Sequence, residues 1–455
     1  MRILVLNGSP KGKYSVTLQT CRYLEILHPE HSFAYLNVGQ KIKFLEKDLS
    51  PALEAIGEAD LLLFSYPVYT FLAPSQLQKF IRLLKESGAD LSGKFATQIS
   101  TSKHFYDSTA QRYIEDNCYD LGLHYIRGLT ADMDDLTTRE GQKQARDFFD
   151  FLCWNVRQNH YEPLPAPRIP TPPVPVKIPA PSCPVGGNVV IITDCEPENT
   201  QLAAMIDRFR AVMQKKTKVV NLHDFPFKGG CLGCFKCAIT GKCVYPDRFD
   251  EFLRNEIQTA DAMVYAFTLR DHSMGPLFKM YDDRQFCNGH RTVTAGTPVG
   301  YLISGNYSVE TNLQTVIEGR SQVGVTPLAG VATDEFDPNG EIDRMADTLC
   351  YLLDHPYVPP QNFYGIGGMK IFRDLIWIMQ GLMKADHKFY KSHGQYDFPQ
   401  KQWPRMLQMQ LVGGMMASKK IQKKMGNQMN DGILMPYEKV LKEARASVDK
   451  TAACR

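Results

Sequence analysis

The chain has 455 residues, 44% of them hydrophobic and 22% charged, the composition of a globular protein with a real core and length for two or three domains. Its net charge of +3, spread over 52 basic and 49 acidic residues, lacks the clustered basic face of a nucleic-acid binder, so no nucleic-acid partner is expected. No apolar run is long enough to span a bilayer, and Met1 leads straight into a short apolar stretch rather than a signal peptide; a soluble, cytoplasmic protein is expected.

Five short apolar runs, at 2–7, 33–38, 60–65, 94–100 and 123–129, alternate with amphipathic stretches at 16–27, 75–85, 109–121 and 140–159. Such runs, rich in Val, Ile, Leu and Phe and separated by helices, predict parallel strands covered on both faces: an open, doubly wound α/β sheet. Ten prolines then crowd between Pro163 and Pro184. They exclude a helix or central strand and predict an extended strap that could reach roughly 65 Å.

Beyond the strap the alternation recurs at 188–193, 217–222, 261–268, 298–304 and 323–332. Glu58-Ala59-Asp60-Leu61-Leu62-Leu63-Phe64 matches Thr259-Ala260-Asp261-Ala262-Met263-Val264-Tyr265, and each is followed by a loop and a helix starting near a proline, Pro74 or Pro276. Two tandem copies of one fold are therefore expected. From Pro356 the alternation stops. Residues 366–383 predict an amphipathic helix, followed by a tail through Met415-Met416, Lys419-Lys420 and Lys423-Lys424. The plainer reading is a helical extension packed over the two domains; the sharper one is a membrane-surface or lid helix. The expected organisation is a first domain at 1–160, a proline-rich linker at 161–187, a second domain at 188–355 and a helical extension at 356–455.

The first strand ends in Gly8-Ser9-Pro10-Lys11-Gly12-Lys13-Tyr14-Ser15-Val16-Thr17, and a helix follows. Small residues allow a tight path, the hydroxyls of Ser9, Ser15 and Thr17 offer donors, Lys11 and Lys13 add charge, and the helix presents unpaired amides: a phosphate cradle, or else an ordinary strand-to-helix turn. Leu6-Asn7-Gly8-Ser9-Pro10-Lys11 with Ser15-Val16-Thr17 resembles the corresponding loop of the NAD(P)H-dependent FMN reductases and iron–sulfur flavoproteins, which have a flavodoxin-like fold. Phe64-Ser65-Tyr66-Pro67-Val68-Tyr69, followed by Pro74-Ser75-Gln76-Leu77-Gln78-Lys79-Phe80-Ile81, is similar to a second signature of that family. The resemblance implies FMN, with Ser9, Lys11, Ser15, Val16 and Thr17 on its phosphate and Pro67, Val68 and Tyr69 along its ring; a third loop, Ser100-Thr101-Ser102-Lys103, supplies Thr101 and Ser102. The sequence departs from the family in Lys11 for arginine, in Tyr66 before Pro67, and in lacking an Asp-Arg pair after the helix.

The second copy carries Cys231, Cys234, Cys237 and Cys243 in the spacing C-x2-C-x2-C-x5-C, out of twelve cysteines in all. Crowding of this kind in a long chain without a leader points to metal or redox chemistry rather than a disulfide scaffold. The donor set suits a [4Fe–4S] cluster or, less well, tetrahedral zinc; reduced free thiols are the remaining reading. The spacing resembles the compact cysteine motif of the iron–sulfur flavoproteins.

Where the first copy has Gly8-Ser9-Pro10-Lys11, the second has Thr193-Asp194-Cys195-Glu196-Pro197-Glu198, whose carboxylates would repel a phosphate, and its Pro-Val-Tyr loop has become Thr268-Leu269-Arg270-Asp271-His272. A fused pseudo-dimer with one flavin site is expected, with the cysteine loop approaching the flavin and Arg270, Asp271 or His272 shaping the pocket. His104 and His272 are candidate proton donors, though an exposed loop histidine is the commoner case. The resemblance implies an FMN-dependent oxidoreductase that uses NAD(P)H as a transient electron donor and reduces a small organic acceptor: a quinone, a nitro or azo compound, or an activated alkene. Tyr66, Tyr69 and Phe71 could form a flat apolar wall for it. Two alternatives are an iron–sulfur electron carrier with a ferredoxin-like protein donor, and a non-enzymatic flavin-binding sensor or scaffold.

Overall fold

Successive residues of a strand face opposite layers. In the computed structural model, which describes residues 1–165, 169–398 and 401–416, Ile3 and Val5 of β1 (Arg2–Asn7) enter one apolar cluster and Leu4 and Leu6 another. With β2 (Ser32–Leu36), β3 (Leu61–Pro67), β4 (Phe95–Ser102) and β5 (His124–Tyr125) it makes a parallel sheet of order β2-β1-β3-β4-β5, and β6 (Leu129–Asp132) also pairs with β4. The single strand expected at 123–129 is thus two short ones. The run breaks at Arg127-Gly128, which have no apolar side chain to bury against β4. Helices α1 (Val16–Leu27), α2 (Ser50–Glu58), α3 (Ser75–Ser87), α4 (Asp107–Asp120) and α5 (Arg139–Gln158) cover this sheet.

The second sheet contains β7 (Val189–Thr193), β8 (Thr217–Asn221), β9 (Ala262–Thr268), β10 (Val299–Ser304) and β11 (Leu328–Thr333), all parallel in the order β8-β7-β9-β10-β11, the same winding as the first. Its helices are α6 (Thr200–Val212), α7 (Gly275–Arg284), α8 (Thr311–Gly324) and α9 (Pro338–Asp354). The strand expected at 323–332 starts later, because α8 runs to Gly324 and Val325 turns the chain in a left-handed conformation. Both sheets are flavodoxin-like in strand order, and small details repeat. The Asp60 carboxylate accepts from the amide of Arg2 at 2.8 Å and Asp261 from that of Asn188 at 2.9 Å. After the third strand of each sheet, Thr70-Phe71 and Asp271-His272 adopt the same pair of left-handed conformations.

One core joins the two sheets. Leu62, Phe64, Leu77 and Phe80 share a cluster with Val190, Ile192, Phe267 and Phe278, while separate clusters fill the outer faces. Helix α3 packs on α7 across this core. The strap follows the second sheet: Thr171 N–H donates to Asn306 Oδ1 at 2.9 Å, Val174 N–H to the carbonyl of Asp334 at 2.7 Å, and Ser182 N–H to the carbonyl of Ala211 at 2.7 Å.

Two further helices, α10 (Phe363–Ile378) and α11 (Lys384–Ser392), complete the compact unit of residues 1–393. The helix expected at 366–383 therefore starts earlier and ends earlier. A separate unit begins at Gly394 and contains α12 (Trp403–Met416); Lys419, Lys420, Lys423 and Lys424 lie outside the described residues. Among the described residues no helix is long and apolar enough to cross a membrane.

Candidate functional site

The carboxyl ends of β1, β3 and β4 open onto a cavity of about 390 Å³. Ser9, Lys11, Ser15, Val16 and Thr17 line it from the first loop, Pro67, Val68 and Tyr69 from the second, and Thr101 and Ser102 from the third. Cys231, Cys234, Cys237 and Cys243 line it from the second half of the chain. Each residue expected to touch FMN and each of the four cysteines therefore lines this one cavity, at the edge where doubly wound sheets bind ligands.

The first loop has the chemistry of an anion cradle. Ser9, Ser15 and Thr17 are buried, yet Ser15 caps α1 only weakly, accepting from Leu18 N–H at 3.4 Å. The amides of Val16 and Thr17 stand in the first turn of α1, where no preceding turn supplies an acceptor, and the helix dipole adds positive potential. Burial lowers the pKa of the Lys11 ammonium, partly offset by charge on Cys234 and Cys231, and its cation lies 5.2 Å from the centre of the Phe235 ring. Buried hydroxyls, amides in the first turn of α1 and an ammonium held over an aromatic ring fit the phosphate of an FMN.

The second loop is held from the other half of the chain. Lys279 Nζ, wholly buried, donates to the carbonyl of Tyr69 at 2.8 Å and pairs with Asp283, whose carboxylate accepts from Ser75 N–H at 2.8 Å. Tyr69 and Phe71 face the cavity. Tyr66 does not: it is fully buried and donates to Gln98 Oε1 at 2.6 Å, so the expected aromatic wall lacks it. In the third loop Thr17 Oγ1 and Thr101 Oγ1 lie 2.6 Å apart, tying it to α1.

The cysteine loop lines the cavity beside the first loop, with Phe235 under the Lys11 ammonium. Gln76 Nε2 donates to the carbonyl of Cys231 at 3.2 Å, and Gly233, at φ +60°, sits so close to Tyr69 that a Cβ there would overlap the tyrosine hydroxyl. Burial pushes the Cys231 thiol well above its ordinary pKa and the Cys237 thiol up to about 11. Cys237 Sγ is spent on the carbonyl of Phe286 at 3.0 Å. Among the described residues no three Cys, His, Asp or Glu side chains are gathered as metal ligands, so the four thiols do not form a ligand set in this arrangement.

The equivalent end of the second sheet is filled by protein. Arg270 pairs with Glu196 at 2.9 Å, and the strap crosses the loops after β10 and β11. Asp194, in the place of Gly8, has one buried carboxylate oxygen without a hydrogen-bond partner; burial pushes its pKa up to about 7 against the pull of Arg270. Arg270, Asp271 and His272 do not line the cavity.

Neither candidate histidine from the sequence lines it. His104 is half exposed and bonded to Asp107 at 2.7 Å. His272 bridges Asp120 at 2.9 Å and Glu310 at 3.0 Å. The histidine that does line it is His290, unremarked in the sequence because nothing near it in the chain signals a site. Phe286 of the loop after α7 and Phe372 of α10 flank its ring.

A sheet wound in the order β2-β1-β3-β4-β5, with a hydroxyl- and lysine-bearing loop after its first strand, defines a flavodoxin-like domain. Residues 1–131 match the NADPH-dependent FMN reductase family, a match that spans under a third of the chain. Similar solved structures include an NAD(P)H:quinone oxidoreductase from Methanothermobacter marburgensis, 15% identical over 36% of this chain and 98% of that one, with a TM-score of 0.28. General stress protein 14 from Treponema denticola, in complex with FMN, is 16% identical over 34% of this chain and 98% of that one, at a TM-score of 0.28. An FMN-dependent NADH-azoreductase from Bacillus anthracis, also in complex with FMN, is 15% identical over 33% and 98%, at 0.27. No curated protein matches the chain.

Proposed function

We propose that this chain is an FMN-dependent NAD(P)H oxidoreductase that reduces a small organic acceptor: a quinone, a nitro or azo compound, or an activated alkene. The observation that carries the reading is the convergence of Ser9, Lys11, Ser15 and Thr17 with the amides opening α1, beside Pro67–Tyr69 and Thr101–Ser102, on one cavity. Bound there, FMN would supply two-electron chemistry with a nicotinamide donor and one- or two-electron chemistry with an acceptor. Ser9, Lys11, Ser15 and the amides of Val16 and Thr17 hold the phosphate. Pro67, Val68 and Tyr69 border the ring, and the buried Lys279–Asp283 pair keeps that loop in place. Tyr69 and Phe71 give the acceptor an apolar surface and exclude water.

No Gly-x-Gly-x-x-Gly loop follows a strand, so NAD(P)H would enter and leave the same cavity rather than occupy a nucleotide fold of its own. The two halves act as a pseudo-dimer: residues 1–160 bind FMN, and residues 188–355 contribute the cysteine loop and the floor of the cavity. The test is an absorbance spectrum of purified protein before and after incubation with FMN. A flavin spectrum with NAD(P)H-dependent bleaching supports the reading; protein that stays colourless in excess FMN overturns it.

A second reading rests on the four cysteines lining that same cavity. An iron–sulfur electron carrier served by a ferredoxin-like donor would contain iron and labile sulfide after anaerobic purification. Flavin without iron dismisses it.

A further inference from the structure

We propose that His290 is the proton donor to the acceptor and that Asp386, from the carboxyl-terminal helical pair, is the residue that positions it; this rests on the oxidoreductase reading above. Among the described residues His290 is the only histidine lining the cavity. Its place within the cavity is fixed by two aromatic rings. Phe286 lies edge-on between them, 6.1 Å from the His290 ring and 5.9 Å from that of Tyr69. Phe372 lies 4.7 Å from His290 and stacks at 4.3 Å on Phe105, which follows the third flavin-side loop. One ring thus separates His290 from each of two loops that border the flavin position.

The imidazole is held from behind. Its Nδ1 lies 3.2 Å from Asp386 Oδ2, and the backbone N–H of His290 donates to the same oxygen at 3.2 Å. Asp386, in the first turn of α11, is wholly buried; Arg291 Nε, 3.2 Å from its other oxygen, balances the charge. Tyr390 Oη, one turn further along α11, donates to the carbonyl of His290 at 3.0 Å. Gly289 has φ +62°, and a Cβ there would overlap the Asp386 carboxylate, so the approach of α11 requires glycine before the histidine. A carboxylate on Nδ1 selects the tautomer and leaves Nε2, for which no protein partner exists among the described residues, as the nitrogen that can serve a ligand.

The chemistry needs such a group. A quinone or activated alkene becomes hydroquinone or saturated product by taking one hydride and one proton. Bound FMN would supply the electron pair, taken from NAD(P)H. The proton leaves Nε2 of the His290 imidazolium, the N–H bond breaking as the new O–H or C–H bond forms. Neutral imidazole remains, with its Nδ1 proton donated to Asp386, and solvent restores the proton at Nε2. A positioned acid of this kind contributes roughly 100- to 10,000-fold. The carboxyl-terminal helices would then belong to the active site rather than merely cover it.

The experiment compares wild type, His290→Gln and Asp386→Asn as FMN-loaded full-length chains, with thermal melting and flavin content checking the fold. Each is assayed with a benzoquinone, which takes a hydride and a proton, and with ferricyanide, which takes single electrons and no proton. The expected result is a quinone-to-ferricyanide rate ratio lowered about 100-fold in His290→Gln and about 10-fold in Asp386→Asn. Independently of activity, nitrogen-15 histidine spectra of the flavin-free protein should show neutral His290 protonated at Nδ1, moving to Nε2 in Asp386→Asn. An unchanged ratio in His290→Gln, a parallel fall with both acceptors, or an Nε2-protonated wild type overturns the proposal. Failure of the oxidoreductase reading would look different: colourless protein with the His290 signal still coupled to Asp386.

Discussion

Lys279 Nζ lies 2.8 Å from the carbonyl oxygen of Tyr69, a residue 210 positions earlier in the chain. The ammonium is fully buried, burial lowers its pKa, and Asp283 offsets that cost. Removing one member of a buried pair leaves the other charged and unpaired, which costs about 3–5 kcal/mol. Lys279→Met should therefore melt markedly earlier and bind FMN more weakly, by about tenfold for the lost hydrogen bond to the loop. Lys279→Met/Asp283→Asn should recover much of the melting temperature without recovering the FMN affinity. Calorimetry and flavin-fluorescence titration separate the two effects. Equal recovery of both would mean that the pair stabilises the fold without shaping the loop.

How much of this was legible follows from how far apart the interacting residues lie. The strands are readable because runs such as Leu61-Leu62-Leu63-Phe64 are apolar on both faces, and the candidate phosphate loop stands out because its hydroxyls and lysine lie close together in sequence. Tyr66, expected on the aromatic wall, shares the parity of Leu62 and Phe64, which points it into the central core with Gln98. Lys279 with Tyr69 and Asp386 with His290 had no such signal. Both pairs exist only because helices from distant parts of the chain pack around one cavity, and helical periodicity marks Lys279 and Asp386 as polar interruptions without naming their partners.

The phosphate cradle makes a sharper prediction than loss of binding. Lys11→Met removes a charge that lines the cavity with Ser15, Val16 and Thr17 and lies over the Phe235 ring. A hydrogen bond to a charged group is worth about 1.5–3 kcal/mol, so FMN affinity should fall roughly 10- to 100-fold. Riboflavin, which has the same ring and no phosphate, should bind the variant and the wild type equally. An equal loss for both ligands would place Lys11 at the ring instead.

On the proposed reading, the second sheet limits the chain to one flavin. Its strand ends hold the Arg270–Glu196 pair, the Asp194 carboxyl in place of a glycine, and the strap residues bonded to Asn306 and Asp334. Titration with FMN should saturate at one per chain. Asp194→Gly/Glu196→Ser, which restores small residues there, should not add a second site while the strap remains. Two flavins per wild-type chain would refute this.

His272 couples stability to pH across the two halves. Burial alone would lower its pKa, but hydrogen bonds and charges from Asp120 of α4 and Glu310 ahead of α8 outweigh it and raise it from 6.5 to about 9. Because the folded state binds this proton more tightly than the unfolded state, the stabilisation is complete below about pH 6.5 and is lost as pH rises through about 9. The shift corresponds to something of the order of 3 kcal/mol. The urea midpoint of the wild type should therefore fall between pH 6.5 and 9, and His272→Gln should start lower and show a flatter profile over the same interval. Asp194 works in the same direction over a lower range, since burial raises its carboxyl from 3.8 to about 7 and the folded state pays increasingly as that group ionises. Asp194→Asn should consequently raise stability at pH 8 while leaving the His272-dependent fall in place. A wild-type midpoint that holds constant from pH 6.5 to 9 would show that the His272 bridge contributes nothing to joining the two halves.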